Sequence, residues 1–347
     1  MDAVERYAEG ICELNRYSQA RTLVVDTIVN PSAGFFRRKR TLRKIIMELE
    51  RRLSSLKQQH PHRRVELHRI HFTQYCGHAK SITERILEDE LRRDSGTERL
   101  IIGAGGDGTS NEICTTLYAA DLTVLERMKL LRFPLGTGND NADAKTFQQA
   151  YALILGRQET ERTAALCVET QTQRRFAFNI ASVGLDAYVT RLTNFFKRVV
   201  PGEAYRLMVN AGTLFYDSRY GNEPVQITLR NAGTEVARVR TALTMISVGV
   251  SGNRTYGGGM HILPGQENVC LIKAMGLLKK LGSKQLLFRG EHGSLQETRF
   301  YTADELIVDR IASELPVQVD GEDFLLLPGD LPLRVRLLEP RIQVVCR

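Results

Sequence analysis

The chain has 347 residues, of which 42% are hydrophobic and 25% are charged. These values are typical of a globular protein long enough for two domains, and they exclude collagen-like, coiled-coil and disordered chains. The formal net charge of +8 favours an anionic partner: nucleic acid, an acidic membrane surface or a phosphate-bearing small molecule.

The cysteines and the start of the chain bear on its compartment. Six cysteines are scattered without any Cys-x-x-Cys spacing, so we expect reduced, mostly buried thiols and no zinc site. The first ten residues carry acids in place of a basic segment with an apolar core, and no apolar stretch reaches membrane-spanning length. We therefore expect a cytoplasmic protein that reaches any lipid by peripheral contact with the inner membrane surface.

Helical and strand-like patterns alternate over the first half of the chain. Apolar spacing predicts helices over residues 4–20, 41–56, 78–91, 110–120 and 147–155, and strands over 22–29, 65–72, 99–104 and 129–134. This alternation predicts an α/β domain whose parallel sheet is covered on both faces.

The second half of the chain is dominated by strand-like runs. Strands are predicted over 163–168, 176–181, 225–229, 236–250, 269–275, 305–308, 317–319 and 333–338, with helices near 185–197, 204–216 and 284–288. This pattern predicts a mainly antiparallel β domain, which begins after a polar connection at 156–161.

The strongest chemical feature is a glycine-rich turn between a predicted strand and helix. It contains, in order, Gly105, Gly106, Asp107, Gly108 and Thr109. Glycines let backbone N–H groups approach an anion, and the helix dipole adds positive potential. The same stretch also fits an ordinary helix start, with Thr109 and Glu112 as a capping box. Asp107 favours a nucleotide with its metal, because a carboxylate repels phosphate unless Mg²⁺ or a hydrogen-bond donor offsets its charge.

Two further loops follow predicted strands. One contains Gly136, Thr137, Gly138, Asn139 and Asp140, and the other begins with Asn30 and Pro31. The first loop alone also fits a simple turn. Because loops after parallel strands gather at one sheet edge, we expect all three glycine-bearing segments to lie together.

These segments, in this order, resemble the diacylglycerol kinase catalytic family, which includes sphingosine kinases and bacterial lipid kinases. The similarity continues through Phe178 and Asn179, Gly184 to Ala187, Gly257 to Gly259 with Pro264, and Val319 to Glu322. It spans nearly the whole chain. The Gly105 to Thr109 turn alone is shared with NAD kinases.

The resemblance implies a fold and an activity. The fold has an α/β domain over residues 1–158, joined by the returning segment 331–347, and a β-sandwich over 159–330, with the nucleotide in a cleft between them. The activity is transfer of the γ-phosphate of ATP, with Mg²⁺, to the hydroxyl of a diacylglycerol-like or sphingoid lipid, a step in lipid metabolism and phospholipid biosynthesis.

The resemblance also assigns roles to residues of this chain. The nucleotide would be held by Asn30, Pro31, Thr73, Gly105, Gly106, Asp107, Gly108, Thr109, Glu112, Gly136, Thr137, Gly138, Asn139 and Asp140. Asp107 and Asp140 are the metal candidates. Glu322 matches the general base, and Asp107 and Asp320, which lies beside Glu322, are further catalytic candidates. From the residues alone, Asp320 and Gly321 also fit a plain hairpin turn.

One departure from the family keeps alternatives open. Bacterial members often carry aspartates after the segment that ends at Pro264, supporting a structural Mg²⁺, whereas residues 264–269 here contain only Glu267 as an acid. A catalytically silent lipid- or nucleotide-binding protein is therefore one alternative, and a soluble-substrate kinase of the NAD-kinase type is another. No RNA-binding or finger pattern accompanies the basic charge, so we do not expect a nucleic-acid partner.

Overall fold

The computed structural model describes residues 2–19, 24–59, 67–93, 98–136, 139–140, 142–196, 204–220, 224–257 and 259–346. The chain forms two compact units, one of Met1–Thr163 with Pro340–Arg347 and one of Ala164–Glu339. Within the described ranges, no helix is both long and apolar enough to span a membrane.

The first unit is built on a parallel sheet. Its helices are α1 (Ala3–Asn15), α2 (Lys39–Gln59), α3 (His78–Leu91), α4 (Asp107–Tyr118), α5 (Leu122–Leu125) and α6 (Phe147–Leu155). Its strands are β1 (Val24–Val29), β2 (Leu67–Phe72), β3 (Arg99–Ala104) and β4 (Met128–Arg132). The strand order is β2-β1-β3-β4, and every neighbouring pair is parallel. This arrangement confirms the α/β domain predicted from the alternating pattern.

Helices cover both faces of this sheet. On one face the core joins Tyr7 of α1, Leu49 of α2 and Tyr151 of α6 to Val25 and Leu100 of the strands. On the other face α3 and α4 pack against each other, with α3 contacting β1 and α4 contacting β3. Because both faces are covered, strands β1 and β3 are buried along their whole length.

A buried charge network stabilises the same sheet. The guanidinium of Arg99 has no solvent exposure and donates to Asp26 (3.0 Å), Asp89 (2.7 Å) and Glu90 (2.9 Å). His71 Nε2 lies 2.8 Å from the second oxygen of Asp26. The pKa of Asp89 is lowered, because the hydrogen bond from Arg99 outweighs the opposing effect of burial. Arg99 therefore connects β1, α3 and β3 by charge-assisted hydrogen bonds.

Replacing this guanidinium tests the network. Arg99→Met keeps most of the side-chain volume but leaves buried carboxylates without their cation, so we expect a loss of about 3–5 kcal/mol in the free energy of unfolding. Urea denaturation measures it. The exposed Arg92→Met is the matched control, and equal midpoints for the two variants would contradict a stabilising role for the network.

The second unit is antiparallel. Its strands are β5 (Thr160–Glu169), β6 (Arg174–Ala177), β7 (Ile180–Gly184), β8 (Pro224–Asn231), β9 (Thr234–Gly249), β10 (Arg254–Tyr256), β11 (Met260–Leu263), β12 (Val269–Lys273), β13 (Thr298–Tyr301), β14 (Glu305–Arg310), β15 (Leu315–Val319), β16 (Glu322–Leu326) and β17 (Leu333–Val345). Its helices are α7 (Leu185–Phe196), α8 (Ala204–Tyr220) and α9 (Leu277–Arg289). The chain passes between the units in β5 and β17, and Gln343 and Val344 of β17 lie parallel to β4.

Two sheets share the long strand β9. Its first half, Thr234 to Ala242, pairs with β8, and its second half, Leu243 to Gly249, pairs with β7 and β12. Alternate residues of both sheets meet in one core, among them Ile227 of β8, Leu306 of β14, Ile246 of β9 and Val317 of β15. The unit is therefore a β-sandwich, as predicted. The other face of the second sheet is covered by α7 to α9 and the β10–β11 hairpin.

Several element boundaries differ from the sequence-based predictions. The first helix ends at Asn15, not residue 20, and the Asn15 amide donates to the Ile11 carbonyl near that end. The strand predicted over 176–181 is divided into β6 and β7, because the backbone N–H groups of 178–180 turn to one carboxylate. Helix α9 begins at Leu277 rather than near 284. Strands β10, β11, β13 and β16 were not predicted.

Candidate functional site

Two glycine loops of the first unit touch. A Cβ atom added to Gly136 would lie only 2.9 Å from the Cα of Gly106, so neither position tolerates a side chain without displacement of the other loop. Asn139 joins the same loops: its side-chain oxygen accepts from the Gly136 N–H (2.6 Å), and its own N–H donates to the Asp107 carboxylate (3.2 Å). The ends of β3 and β4 are therefore held together at one edge of the sheet.

The loop after β1 joins them. The Asn30 amide donates to the hydroxyl of Thr109 (2.9 Å), and its oxygen accepts from the Ser32 N–H. Thr73, just after β2, donates its N–H to the carbonyl of Val29. Strand order reverses between β1 and β3, which is where open α/β sheets bind ligands. The structure thus brings the predicted residues Asn30, Thr109 and Thr73 to the edge that carries both glycine loops.

Helix α4 begins earlier than predicted and is capped differently. Its N-cap is Gly106, without a side-chain cap, so the predicted capping box of Thr109 and Glu112 is wrong. The Glu112 carboxylate instead accepts from the N–H groups of Gly77 (2.8 Å) and Ala79 (3.0 Å) at the start of α3. Glu112 thus satisfies otherwise unpaired donors of a neighbouring helix, a role that spacing within α4 did not reveal.

The loop edge has the chemistry of a phosphate site. The first N–H groups of α4 have no carbonyl partner in their own helix, and the helix dipole favours negative charge there. A Cβ added to Gly108 would meet nothing within 4 Å, so the turn is open on that side. Gly105, in contrast, is confined by the Thr109 side chain at 2.6 Å.

The residues at this edge fit a metal ion that is bound together with a nucleotide. In the described part of the chain no three His, Cys, Asp or Glu side chains cluster as a metal cage. Mg²⁺ in phosphotransfer sites needs only one or two carboxylates, with phosphates and water completing its shell, and Asp107 and Asp140 could supply these. Thr137 and Gly138 lie outside the described residues, as does Gly258 of the Gly257 to Gly259 segment. Pro31 is described, and it is exposed beside Asn30.

The predicted catalytic pair of the second unit lies on a tight hairpin. Asp320 and Gly321, both with positive φ (48° and 92°), form the two-residue turn between β15 and β16. The buried Asp320 carboxylate accepts from the N–H groups of Phe178 (2.6 Å), Asn179 (3.0 Å) and Ile180 (2.9 Å). Asp320 thus fixes the turn, and Glu322 follows it as the exposed first residue of β16.

A second buried carboxylate, Asp186, was not predicted as a site residue. Its Oδ2 accepts from the Ser182 hydroxyl (2.6 Å) and the Gln318 amide (3.4 Å), while its Oδ1 has no partner among the described residues. Burial raises the pKa of Asp186 to about 6, against the opposing effect of these two donors. The sequence signal that could have identified Asp186 was its position in the segment from Gly184 to Ala187. Only glycine fits at position 184, because a side chain there would collide with the Thr244 carbonyl.

Asp186 lies at the wall of an apolar crevice. The crevice runs between α7, α8, α9 and the second sheet and is lined mainly by aliphatic side chains, including Val189, Val209, Met245 and Ile272. The buried Lys280 also lines it, paired with Asp217 and stacked over the Tyr216 ring (5.6 Å). The cavity holds about 50 Å³, room for one or two water-sized groups.

The first unit has glycine-rich loops at the ends of parallel strands, and the second is a β-sandwich with an apolar crevice. Both units match models of known protein families. Residues 25–167 match the model of the diacylglycerol kinase catalytic domain, and residues 179–346 match the YegS C-terminal NAD kinase beta sandwich-like domain. The chain belongs to the diacylglycerol kinase catalytic domain family, and this membership points to a lipid kinase.

Individual relatives agree with this membership. The chain is 28% identical over 244 residues, 66% of its length and 74% of the relative's, to the probable lipid kinase YegS-like of Stenotrophomonas maltophilia (strain K279a). The crystal structure of a diacylglycerol kinase from Bacillus anthracis str. Sterne matches with a TM-score of 0.60 at 18% identity, covering 95% of this chain and 98% of its own. Another structure from that organism gives 0.61 at 19% identity over 95% of this chain and 99% of its own. Likeness at these identities shows the fold alone.

The raised pKa of Asp186 predicts a pH effect on stability. The folded chain binds this proton more tightly than an unfolded carboxyl of pKa 3.8, so its stabilisation is present below about pH 4 and is lost as the pH rises through about 6. Asp186→Asn avoids that loss. Its free energy of unfolding relative to wild type should rise by about 3 kcal/mol between about pH 4 and pH 7.

Denaturant titrations at several pH values measure this difference. Asp309→Asn, at an exposed position on β14, controls for the removal of one negative charge. A constant difference between Asp186→Asn and wild type across that range would contradict the assigned effect of burial.

Proposed function

We propose that this protein is an ATP-dependent lipid kinase that transfers the γ-phosphate to the hydroxyl of a diacylglycerol-like or sphingoid lipid. The observation that carries the proposal is the meeting of the three loops, through Asn30 with Thr109, Gly106 with Gly136, and Asp107 with Asn139. Loops after parallel strands share one edge in any such sheet. A polyphosphate is supported by the way in which these loops meet, through glycines and beside the open start of α4, where backbone N–H groups can donate to phosphate oxygens.

In this proposal the loops bind and orient the nucleotide. The N–H groups at the start of α4 donate to phosphate oxygens, and the glycines allow the backbone to approach them. Mg²⁺, when bound with ATP, neutralises the charge that develops during transfer. Asp107 and Asp140 would hold the ion, and the N–H of Asn139 donates to the Asp107 carboxylate and orients it.

The apolar crevice supports a lipid as the acceptor. Its aliphatic lining suits an acyl or sphingoid chain, with Asp186 and Lys280 as the polar groups at its wall. The present cavity is smaller than such a chain, so the proposal requires the crevice to widen when lipid enters.

Glu322 is proposed as the general base. Its carboxylate takes the proton of the lipid hydroxyl as the oxygen attacks phosphorus, and the ADP oxygen leaves with the electron pair of the broken bond. Asp320 acts as a positioning residue, since both its oxygens accept backbone N–H groups and keep the Asp320–Gly321 turn fixed.

A catalytically silent binding protein is the second candidate, and one observation favours it. In the stretch 264–269, where the resemblance implies aspartates in many bacterial members, Glu267 is exposed, and the Asn268 amide oxygen accepts from the Ala303 N–H (3.0 Å). No clustered acids are available there among the described residues.

A lipid panel tests the proposed activity directly. Purified protein with labelled ATP and Mg²⁺ should phosphorylate at least one of diacylglycerol, sphingoid base, ceramide and phosphatidylglycerol. Conversion of NAD to NADP instead would move the assignment to the NAD-kinase type. Nucleotide binding without transfer to any acceptor would favour the silent protein.

Two substitutions test the assigned residues. Glu322→Gln removes the base and should lower kcat by about 10²- to 10⁴-fold with little change in the KM for ATP. Asp107→Ala should instead weaken nucleotide binding and raise the Mg²⁺ requirement. The exposed Glu88→Gln on α3 serves as the control, and wild-type turnover in both site variants would show that the site is wrongly assigned.

A further inference from the structure

Helices α8 and α9 expose apolar side chains that none of the described residues of the second unit covers. Leu278 is 85% exposed, Phe215 59% and Leu214 47%, and Leu277 and Leu281 are also exposed. Large apolar side chains concentrated in this way on a soluble surface mark an interaction site. These five residues are called the α8–α9 apolar patch.

Contacts between the helices place the exposed leucines of α8 and α9 near each other. Lys280 pairs with Asp217, and Lys284 donates to Asn210, so the later residues of α9 lie beside the earlier residues of α8. The helices are antiparallel. Leu214 lies midway between the two α8 partners and Leu281 lies between the two α9 partners, so the two leucines are at a similar level along the helices.

The opposite faces of the same helices line the apolar crevice. Val209 and Thr213 of α8 and Ser283 and Leu287 of α9 face it. By helical spacing, Leu278 and Leu281 lie on the far side of α9 from Ser283 and Leu287. Helix α9 is therefore apolar on two sides, and one of these sides has no partner in the part of the unit that the structure describes.

Charge indicates what covers the exposed side. Helix α9 contains no acidic residue and carries Lys279, Lys284 and Arg289 as cations that are at least partly exposed, of which Lys279 pairs with Glu297. Its fourth cation, Lys280, is buried against Asp217 and is not available to a headgroup. Leucines beside lysines are typical of helices that lie in the plane of a membrane interface, where the leucines enter the acyl region and the cations meet anionic headgroups.

We propose that the α8–α9 apolar patch docks the protein on an anionic lipid surface, with α8 and α9 lying in the interface. The choice of a lipid occupant rests on the proposed function. Docking in this way brings the helices that wall the crevice into contact with the bilayer in which the acceptor resides, so that lipid can pass between them without crossing water.

Vesicle sedimentation tests the docking surface. Wild-type protein should bind phosphatidylcholine vesicles that contain one third phosphatidylglycerol, bind pure phosphatidylcholine more weakly, and lose part of its binding at high salt. The double variant Leu278→Gln/Leu281→Gln should lower the partition coefficient by about tenfold or more, because two leucines no longer enter the apolar layer. Both positions are exposed, so the thermal midpoint should stay unchanged.

A matched control separates the patch from general surface hydrophobicity. Leu91→Gln replaces a leucine of α3 that is 63% exposed and should bind vesicles like wild type. The proposal is overturned if wild type binds no vesicles or if the double variant binds as wild type does. It is also overturned if the patch proves to be a contact between copies, with a wild-type dimer, a monomeric double variant and unchanged vesicle binding.

Activity measurements separate this proposal from the kinase assignment. With a short-chain diacylglycerol below its micelle concentration, the double variant should turn over like wild type, whereas on vesicles it should be slower by about the loss in partition. If no lipid is phosphorylated but vesicle binding follows the expected pattern, the kinase assignment fails and the docking surface stands. Equal rates of the variant and wild type on vesicles overturn the docking surface alone.

Discussion

The contact between Gly106 and Gly136 is the constraint on which the first unit's site depends. A side chain at either position would push the loops after β3 and β4 apart, most strongly at Gly136. That shift would strain the hydrogen bonds of Asn139 to the Gly136 N–H and to the Asp107 carboxylate. Glycine at these positions leaves the backbone of both loops without side chains, as the proposed nucleotide site requires.

Much of the first unit followed from sequence because its signals are local. The bounds of α3, β3 and α6 agree with the apolar spacing to the residue, and the alternation of elements was enough to predict a parallel sheet. The convergence of the loops also followed, since strand ends of a parallel sheet share one edge.

The parts that sequence did not predict depend on partners far along the chain. The carboxylate of Asp320 binds N–H groups about 140 residues earlier, and Glu112 caps a helix about 30 residues before it. No periodicity encodes such pairs. Strand β16 was missed for a related reason. It contains the charged residue Asp323, whose partner Arg191 belongs to α7 and became evident only with the fold. Asp186 gave only a local motif, and its burial became evident with the fold.

The long strand β9 has a consequence for how the second unit comes apart. Its exposed first half belongs to one sheet and its buried second half to the other. Peeling either sheet away would strip hydrogen bonds from a strand that the remaining sheet still needs, so neither layer can open as a separate cooperative unit. The sandwich should therefore melt in a single step and show slow amide exchange across both layers.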